Sequence, residues 1–373
     1  MMRTRWRIGR LFGIEINVDS SWLIIFGLVT WSLARSYFPQ QYPAWGTWLH
    51  WMVGVATSIL FFASVLAHEL AHSLVAIRQG EAVRGITLFI FGGVAEISEE
   101  PERPSKEFLM ALAGPLSSLI IAAVFALLWL LTRNLVEPVG ALARYLAMIN
   151  GSLAFFNLIP GFPLDGGRVL RAVIWGVSDN LRLATRAASW IGQGVAFLFI
   201  LAGIWQILGG AWLNGLWIAF IGWFLNNAAL TGYRQVVMRD VLGETRVENL
   251  KAPTFEAVSP SLTLQRLVDD YVMRRREHAY PVVEGDQLQG IICLHDVKAV
   301  PQERWSETQV SQVMTPWERM VTVSAGDDGN TVLSRLGTHD VHQLPVVEGR
   351  RLTGMVHRAD VIRYLQLRAE LGA

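Results

Sequence analysis

The chain has 373 residues, of which 52% are apolar and only 17% are charged, whereas an average soluble domain has about 25% charged residues. Its formal net charge is +1, and its Lys and Arg residues form no basic stripe, which argues against nucleic acid as a partner. Cys293 is the single cysteine, so the chain can form neither an intrachain disulfide nor a cysteine-based metal cluster.

Long apolar segments dominate the chain from about Ser20 to Tyr233, and charged residues return at ordinary density after Arg234. A helix needs about 20 apolar residues to cross the hydrocarbon core of a bilayer. About six segments come near that length: 20–36, 50–77, 108–131, 139–159, 189–208 and 211–231. A signal peptide is the alternative for the first segment, but no small-residue cleavage site follows it. The sequence therefore predicts a multi-pass membrane domain followed by a soluble one.

The distribution of Lys and Arg predicts the orientation of these segments, because short, positively charged loops stay in the cytoplasm. Four Arg residues precede the first segment, and the connections 78–106 and 160–188 are also rich in basic residues. By contrast, residues 38–48 carry no charge. With an even number of spans, we expect both termini on the cytoplasmic side of the cell membrane.

The second apolar segment contains the pattern His68-Glu69-Leu70-Ala71-His72. Positions i and i+4 lie on one face of a helix, so the two imidazoles can reach one zinc ion while Glu69 serves as a general base. A charged group at mid-membrane costs about 2.5 to 3.5 kcal/mol, which metal binding in a hydrated cavity would offset. The alternative is a pair of histidines hydrogen-bonded to neighbouring helices, with Glu69 in an ion pair.

A catalytic zinc ion usually has three protein ligands, which requires a further polar residue at similar membrane depth. Asp165 lies in the segment 157–168, NLIPGFPLDGGR, whose prolines and glycines interrupt the fourth apolar segment. Non-helical backbone at membrane depth occurs only where it is buried in protein or faces a water-filled cavity. We therefore predict Asp165 as the third ligand, and an ordinary turn at the membrane surface is the alternative.

The combination of HELAH in the second segment and NLIPGFPLDG after the fourth resembles the site-2 protease family of intramembrane metalloproteases. It is most similar to the six-span prokaryotic branch with C-terminal CBS domains. The resemblance implies one zinc ion per chain, held by His68, His72 and Asp165. It also implies Glu69 as the general acid and base, and Asn157 as the residue that orients or polarises the substrate carbonyl.

The same resemblance implies the reaction and the partners. The reaction is hydrolysis of a peptide bond within or near a transmembrane helix, in regulated intramembrane proteolysis. The substrate is a membrane-anchored, single-span protein that reaches the enzyme through the lipid bilayer. Because His72 precedes Arg78 by six residues, about 9 Å along a helix, we expect cleavage near the cytoplasmic boundary.

The segment 85–97, GITLFIFGGVAEI, is too short to cross a membrane and contains β-forming residues on both sides of Gly92 and Gly93. In the family, the corresponding FGG segment is a short re-entrant β piece near the active site. The resemblance implies that Gly92 and Gly93 bind an unwound substrate by strand addition. A plain surface hairpin is the alternative. Ala113-Gly114-Pro115 resembles the family's AGP element, which we interpret as helix packing without chemistry.

A repeat with an offset of 64 residues occupies the C-terminal part of the chain. The segment 280–297 contains YPVVEG and a later Asp-Val, and 344–361 contains LPVVEG and a second Asp-Val. This repeat resembles a cytoplasmic α/β tandem CBS module. The predicted domains are an α-helical polytopic metalloprotease domain at 1–235, a linker at 236–246, and a CBS pair at 247–373 with copies at about 247–300 and 308–366.

CBS pairs often bind adenine nucleotides, with the Asp after the last strand contacting ribose, which implies this role for Asp296 and Asp360. Nucleotide-binding copies usually have Thr or Ser three residues earlier, whereas this chain has Cys293 and His357. A purely structural module, or one that forms a homodimer, is therefore the alternative.

Two other functions are compatible with intramembrane histidines. A zinc transporter predicts ligands at more than one membrane depth and acidic entrances, and the apolar segments have neither. A catalytically inert receptor that senses a nucleotide through its tail leaves Glu69 without a role. The sequence therefore favours the protease.

Overall fold

The structure is a computed structural model that describes residues 5–90, 92–97, 101–252, 255–274 and 279–370. The chain divides into two compact units, Met1–Arg234 and Gln235–Ala373. The boundary falls within a long helix, and the predicted linker 236–246 is helical as far as Gly243.

The first unit is built from long apolar helices. Its helices are α1 (Ser20–Ser32), α2 (Phe38–Gln41), α3 (Thr47–Arg78), α4 (Pro104–Thr132), α5 (Glu137–Asn157), α6 (Asp165–Ser178), α7 (Leu181–Leu208) and α8 (Trp212–Gly243), the last of which ends in the second unit. Within the described residues, α3, α4, α5, α7 and α8 are long and apolar enough to cross a membrane. Large apolar side chains such as Trp205 and Leu208 are 79% exposed, which is expected of helices that face lipid.

The segment 20–36, predicted as the first span, is helical but irregular. Asp19 caps α1 by accepting a hydrogen bond from the Ser21 backbone N–H at 2.9 Å. A π-helical stretch, Leu33–Tyr37, then connects α1 to α2. The helical run therefore extends from 20 to 41 in three pieces.

A four-stranded sheet covers the part of α3 that contains the HELAH motif. Its strands are β1 (Arg5–Leu11), β2 (Ile14–Asp19), β3 (Val83–Phe89) and β4 (Gly92–Ile97), in that spatial order, with β2 and β3 parallel and the other pairs antiparallel. The predicted β segment 85–97 is thus a β3–β4 hairpin, although Phe91 lies outside the described residues. Ile16 and Ile86 pack against Leu66 and Leu70 of α3. The sheet is therefore fixed beside the motif by apolar packing.

The second unit contains the repeat as a repeated structural element. Its main elements are α9 (Leu264–Arg266), β5 (Ala279–Glu284), β6 (Gln287–Cys293), α10 (Leu294–Lys298), β7 (Thr315–Pro316), α11 (Gly329–Thr338), β8 (Gln343–Glu348), β9 (Arg351–His357) and α12 (Arg358–Glu370). Strands pair in the order β5-β6-β9-β8, with β7 on β6. Residues 64 positions apart take equivalent core places, such as Val282 with Val346 and Ile292 with Val356.

Candidate metal centre

Helix α3 brings both histidines of the HELAH motif to one buried face. His68 is 5% exposed and His72 is 6% exposed. Because the residues are one helical turn apart, their rings face the same point, and their Nε2 atoms are 3.2 Å apart. The predicted juxtaposition of the two imidazoles is therefore present.

Helix α4 fixes the other nitrogen of each ring. His72 Nδ1 donates a hydrogen bond to the Met110 carbonyl oxygen at 2.6 Å, since a carbonyl can only accept. His68 Nδ1 lies 2.9 Å from the hydroxyl oxygen of Ser118, which is fully buried. With the proton on Nδ1, a neutral imidazole presents a lone pair at Nε2, the arrangement that metal-binding histidines require. No sequence pattern points to Met110 or Ser118, because the histidines that they contact lie on a different helix.

Asp165 begins α6, immediately after the interruption that the prolines produce. Its Oδ2 atom lies 3.1 Å from His68 Nε2 and 3.3 Å from His72 Nε2. Gly166 and Gly167 allow this geometry, because a Cβ atom at either position would overlap the backbone of residues 158–162. The structure thus places Asp165 against the two imidazoles, and its role as the third ligand stays a prediction.

The donor set fits a zinc ion. With the proton of each imidazole on Nδ1, the two Nε2 atoms and the carboxylate oxygen present lone pairs to one another at 3.1 to 3.3 Å, an arrangement that a cation between them stabilises. Zinc–ligand distances of about 2.0 to 2.1 Å in a tetrahedral site place the ligand atoms about 3.3 to 3.4 Å apart. Among the described residues, His68, His72 and Asp165 are the group of His, Cys, Asp and Glu side chains close enough to share a metal ion.

Gly114 of α4 lies at the floor of this centre. A Cβ atom at position 114 would lie 2.6 Å from His68 Nε2 and still closer to His72 Nε2. A side chain there would thus compete with the metal for space. The sequence predicts helix packing alone for the AGP element, whereas the structure also gives its glycine a place at the metal centre.

Glu69 lies between the metal centre and the edge strand β4. A Cβ atom at Gly93 would come within 2.5 Å of Glu69 Cγ, so the backbone of β4 packs directly on this side chain. The glycine that the sequence associated with substrate is therefore adjacent to the predicted general base. The neighbouring Gly92 has a φ of +129°, which an L-amino acid with a side chain rarely adopts.

Asn157 is the last residue of α5, and its side chain is half-buried. In the described part of the chain, no hydrogen bond joins it to His68, His72 or Asp165. Its predicted role concerns the substrate carbonyl rather than the metal, and it stays a prediction.

The second unit contains a separate cavity of about 550 Å³, whose lining includes Cys293, His295, Arg319 and His342. Asp296 and Asp360 do not line it. Each of these carboxylates instead accepts hydrogen bonds from the residue three positions earlier. Cys293 donates to Asp296 from its backbone N at 2.9 Å and from Sγ at 3.0 Å. His357 donates to Asp360 from its backbone N at 3.1 Å and from Nδ1 at 2.9 Å. Burial raises the pKa of the Cys293 thiol, and its hydrogen bond to Asp296 also raises it.

Comparison with known proteins places these features in a family. The chain matches the model of peptidase family M50 over residues 56–142 and 133–201, and the CBS domain model over 247–303 and 310–367. It is 35% identical to sll0528 of Synechocystis sp., named as a zinc metalloprotease, over 99% of this chain and 97% of the relative. It is 32% identical to Rip3 of Mycobacterium tuberculosis, over 98% of this chain and 94% of the relative.

A solved site-2 protease from Methanocaldococcus jannaschii is 25% identical, and the match covers 61% of this chain and 95% of that chain with a TM-score of 0.42. The family model and the two relatives confirm the resemblance drawn from the two sequence motifs. The chain belongs to peptidase family M50, the site-2 protease family, as a multi-pass membrane zinc metalloprotease with a C-terminal pair of CBS domains.

Proposed function

We propose that the protein hydrolyses a peptide bond within or near a transmembrane helix of a membrane-anchored, single-span protein, in regulated intramembrane proteolysis. The observation that carries this proposal is the convergence of two buried imidazoles, His68 and His72, with the partly buried Asp165 carboxylate, beside a glutamate and an edge strand. This arrangement combines a metal site, a base and a place for extended substrate.

His68, His72 and Asp165 would hold the zinc ion. When bound, zinc supplies Lewis-acid chemistry that polarises the scissile carbonyl and acidifies water. The Glu69 carboxylate takes a proton from the attacking water and later delivers it to the nitrogen of the leaving amine. Asn157, at the end of α5, orients or polarises the substrate carbonyl. The remaining hydrogen bonds of the site, between His68 and the Ser118 hydroxyl and from His72 to the Met110 carbonyl, keep the imidazoles in place.

Substrate would bind along β4, the edge strand that contacts Glu69. We propose that the hairpin containing β4 is a re-entrant segment. A transmembrane helix uses its own backbone groups in internal hydrogen bonds, so it must unwind before a protease can reach a peptide bond. An unwound segment can then pair with an exposed strand edge. Gly92 and Gly93 let that backbone approach the site closely. We therefore expect substrates with helix-destabilising residues near the cut.

We propose six spans, of which the helical run 20–41 is the first. Its 22 residues rise about 33 Å, enough for a hydrocarbon core of about 30 Å. An even number of spans puts both termini on the same side, and the basic residues before the first span and in the connections 78–106 and 160–188 favour the cytoplasm as that side. The metal site then lies near the cytoplasmic boundary. We keep the domain boundaries at 1–235 for the protease, 236–246 for the linker and 247–373 for the CBS pair.

For the CBS pair we propose regulation by an adenine nucleotide, or dimerisation. The cavity beside Arg319 and three histidines favours a ligand with phosphate groups, whereas the engagement of Asp296 and Asp360 in local hydrogen bonds favours a structural role. Titrating the full-length protein with ATP, ADP and AMP while measuring its melting temperature would decide between them. If no nucleotide raises it, light scattering tests the homodimer.

The protease activity is tested with purified protein in liposomes and a panel of single-span proteins, together with metal analysis. We expect wild type to contain zinc and cleave, Glu69→Gln to contain zinc without cleaving, and Asp165→Ala to lose both properties. An Asp165→Ala variant with full zinc content and full activity would contradict the proposal.

A further inference from the structure

One face of α4 contacts both candidate histidine ligands and the helix that begins with the third ligand, Asp165. Glu107, Met110, Gly114 and Ser118 are spaced three or four residues apart, lie on the same side of the helix, and are buried. Met110 and Ser118 bond to the imidazoles, and Gly114 leaves room for the metal. Glu107, at the end of this face, takes no part in the proposed mechanism.

Glu107 forms a buried ion pair with α6, the helix that begins with Asp165. Its side chain is fully buried, and Arg171 is 5% exposed. Glu107 Oε1 accepts hydrogen bonds from Arg171 Nε at 2.7 Å and from Arg171 Nη2. Arg168 Nε lies 3.7 Å from the same oxygen. Both arginines lie on α6 within two turns of Asp165, so the pair joins the ligand-bearing end of α6 to α4.

Arg171 also holds the loop that precedes Asp165. Its guanidinium carbon lies 5.1 Å from the centre of the Phe162 ring, in the range of a cation–π interaction. Phe162 N in turn donates to the Ala188 carbonyl of α7 at 3.2 Å. The loop and the first turns of α6 are therefore packed together, and Glu107 is one of the residues that join them to α4.

A buried ion pair is a poor source of stability, because the desolvation of two charges offsets their attraction. Its directional bonds do, however, define one orientation of the two helices. We propose that Glu107 and Arg171 are positioning residues, which set the Asp165 carboxylate at coordinating distance from the two imidazoles. This inference rests on the metal site proposed above and extends it to residues outside the motifs.

The test compares variants of the full-length protein by zinc affinity and by the visible absorption of bound Co²⁺, which reports ligand number and geometry. The double variant Glu107→Met with Arg171→Met removes both charges, so neither remains unpaired in the protein. Loss of a residue that orients a metal ligand typically weakens metal binding about 10- to 100-fold. We expect that loss here, with an unchanged melting temperature and a Co²⁺ spectrum shifted towards that of Asp165→Ala.

Two further variants serve as references. Glu107→Gln keeps an acceptor for Arg171, so we expect it to bind zinc more tightly than the double variant. Lys106→Gln removes an exposed ion pair, in which Lys106 Nζ lies 3.4 Å from Glu102 Oε2, and we expect it to match wild type. If the double variant does not fold, Arg171→Lys, which keeps the charge but loses the guanidinium geometry, is judged by the same criteria.

Wild-type zinc affinity and Co²⁺ spectrum in the folded double variant would overturn the positioning role. Failure of the metal site itself has a different signature, because Asp165→Ala and His68→Ala would then also bind zinc as wild type does.

Discussion

Replacing Gly114 by alanine tests the metal centre with a single methyl group. The new Cβ would lie 2.6 Å from His68 Nε2, about 0.4 Å inside the 3.0 Å that real contacts respect, and closer to His72 Nε2. Metal sites tolerate deviations of about 0.2 Å in their ligand distances. Because Ser118 and Met110 hold the far side of each ring, the imidazoles must move and lose their alignment. We expect zinc affinity to fall more than about 100-fold, beyond the loss of one supporting residue.

The free energy of unfolding of the metal-free protein should change little. Alanine is better than glycine within a helix by about 1 kcal/mol, and weakening the two Nδ1 hydrogen bonds, each of which contributes about 0.5 to 1.5 kcal/mol when intact, costs a part of their sum. These effects have opposite signs and similar size. Gly114→Ala should therefore separate metal binding from folding.

The assay is zinc competition with a chromogenic chelator, with melting followed by circular dichroism. Gly151→Ala in α5 is the matched control, because a Cβ there meets nothing within 4 Å. Stoichiometric zinc binding at wild-type affinity in Gly114→Ala would refute the assignment of the three ligands around this glycine.

Three other outcomes are expected. Ser118→Ala should weaken zinc binding about 10- to 100-fold, because His68 loses its orienting partner; chelator competition measures it, and unchanged affinity would contradict it. Gly93→Val should abolish cleavage while zinc content stays at wild-type level, because its side chain overlaps Glu69; an active variant argues against this packing. Alkylation of Cys293 at pH 8, followed by mass spectrometry, should be slower than in the urea-unfolded chain and faster in Asp296→Asn, since burial and Asp296 raise the thiol pKa; equal rates in all three samples would show that they do not.

Much of the candidate site could be predicted because its signals are local. The i and i+4 spacing puts His68 and His72 on one face of a single helix. Because polar groups in an apolar segment cost free energy, that spacing indicates a functional site. Proline and glycine locate the interruption before Asp165. The repeat offset of 64 residues likewise predicted the paired strands of the second unit.

The segment 20–36, predicted as the first span, shows what local sequence signals do not report. Hydropathy treats residues 20–36 as one apolar segment, whereas the structure divides the helical run at a π-helical stretch, Leu33–Tyr37. Leu33 and Phe38 are both buried in a cluster with Val53 of α3 and Ala141 of α5. Hydropathy along the chain does not report such packing between distant segments.

By itself, the sequence determined the family of the chain and predicted which side chains carry the chemistry, since motif spacing and hydropathy are properties of neighbouring residues. Only the tertiary structure decided how those side chains are supported. Gly114, Ser118 and Glu107 act from α4 on groups of α3 and α6, and the contacts arise where three helices pack together. Contacts between distant segments depend on packing in three dimensions, which no local pattern encodes.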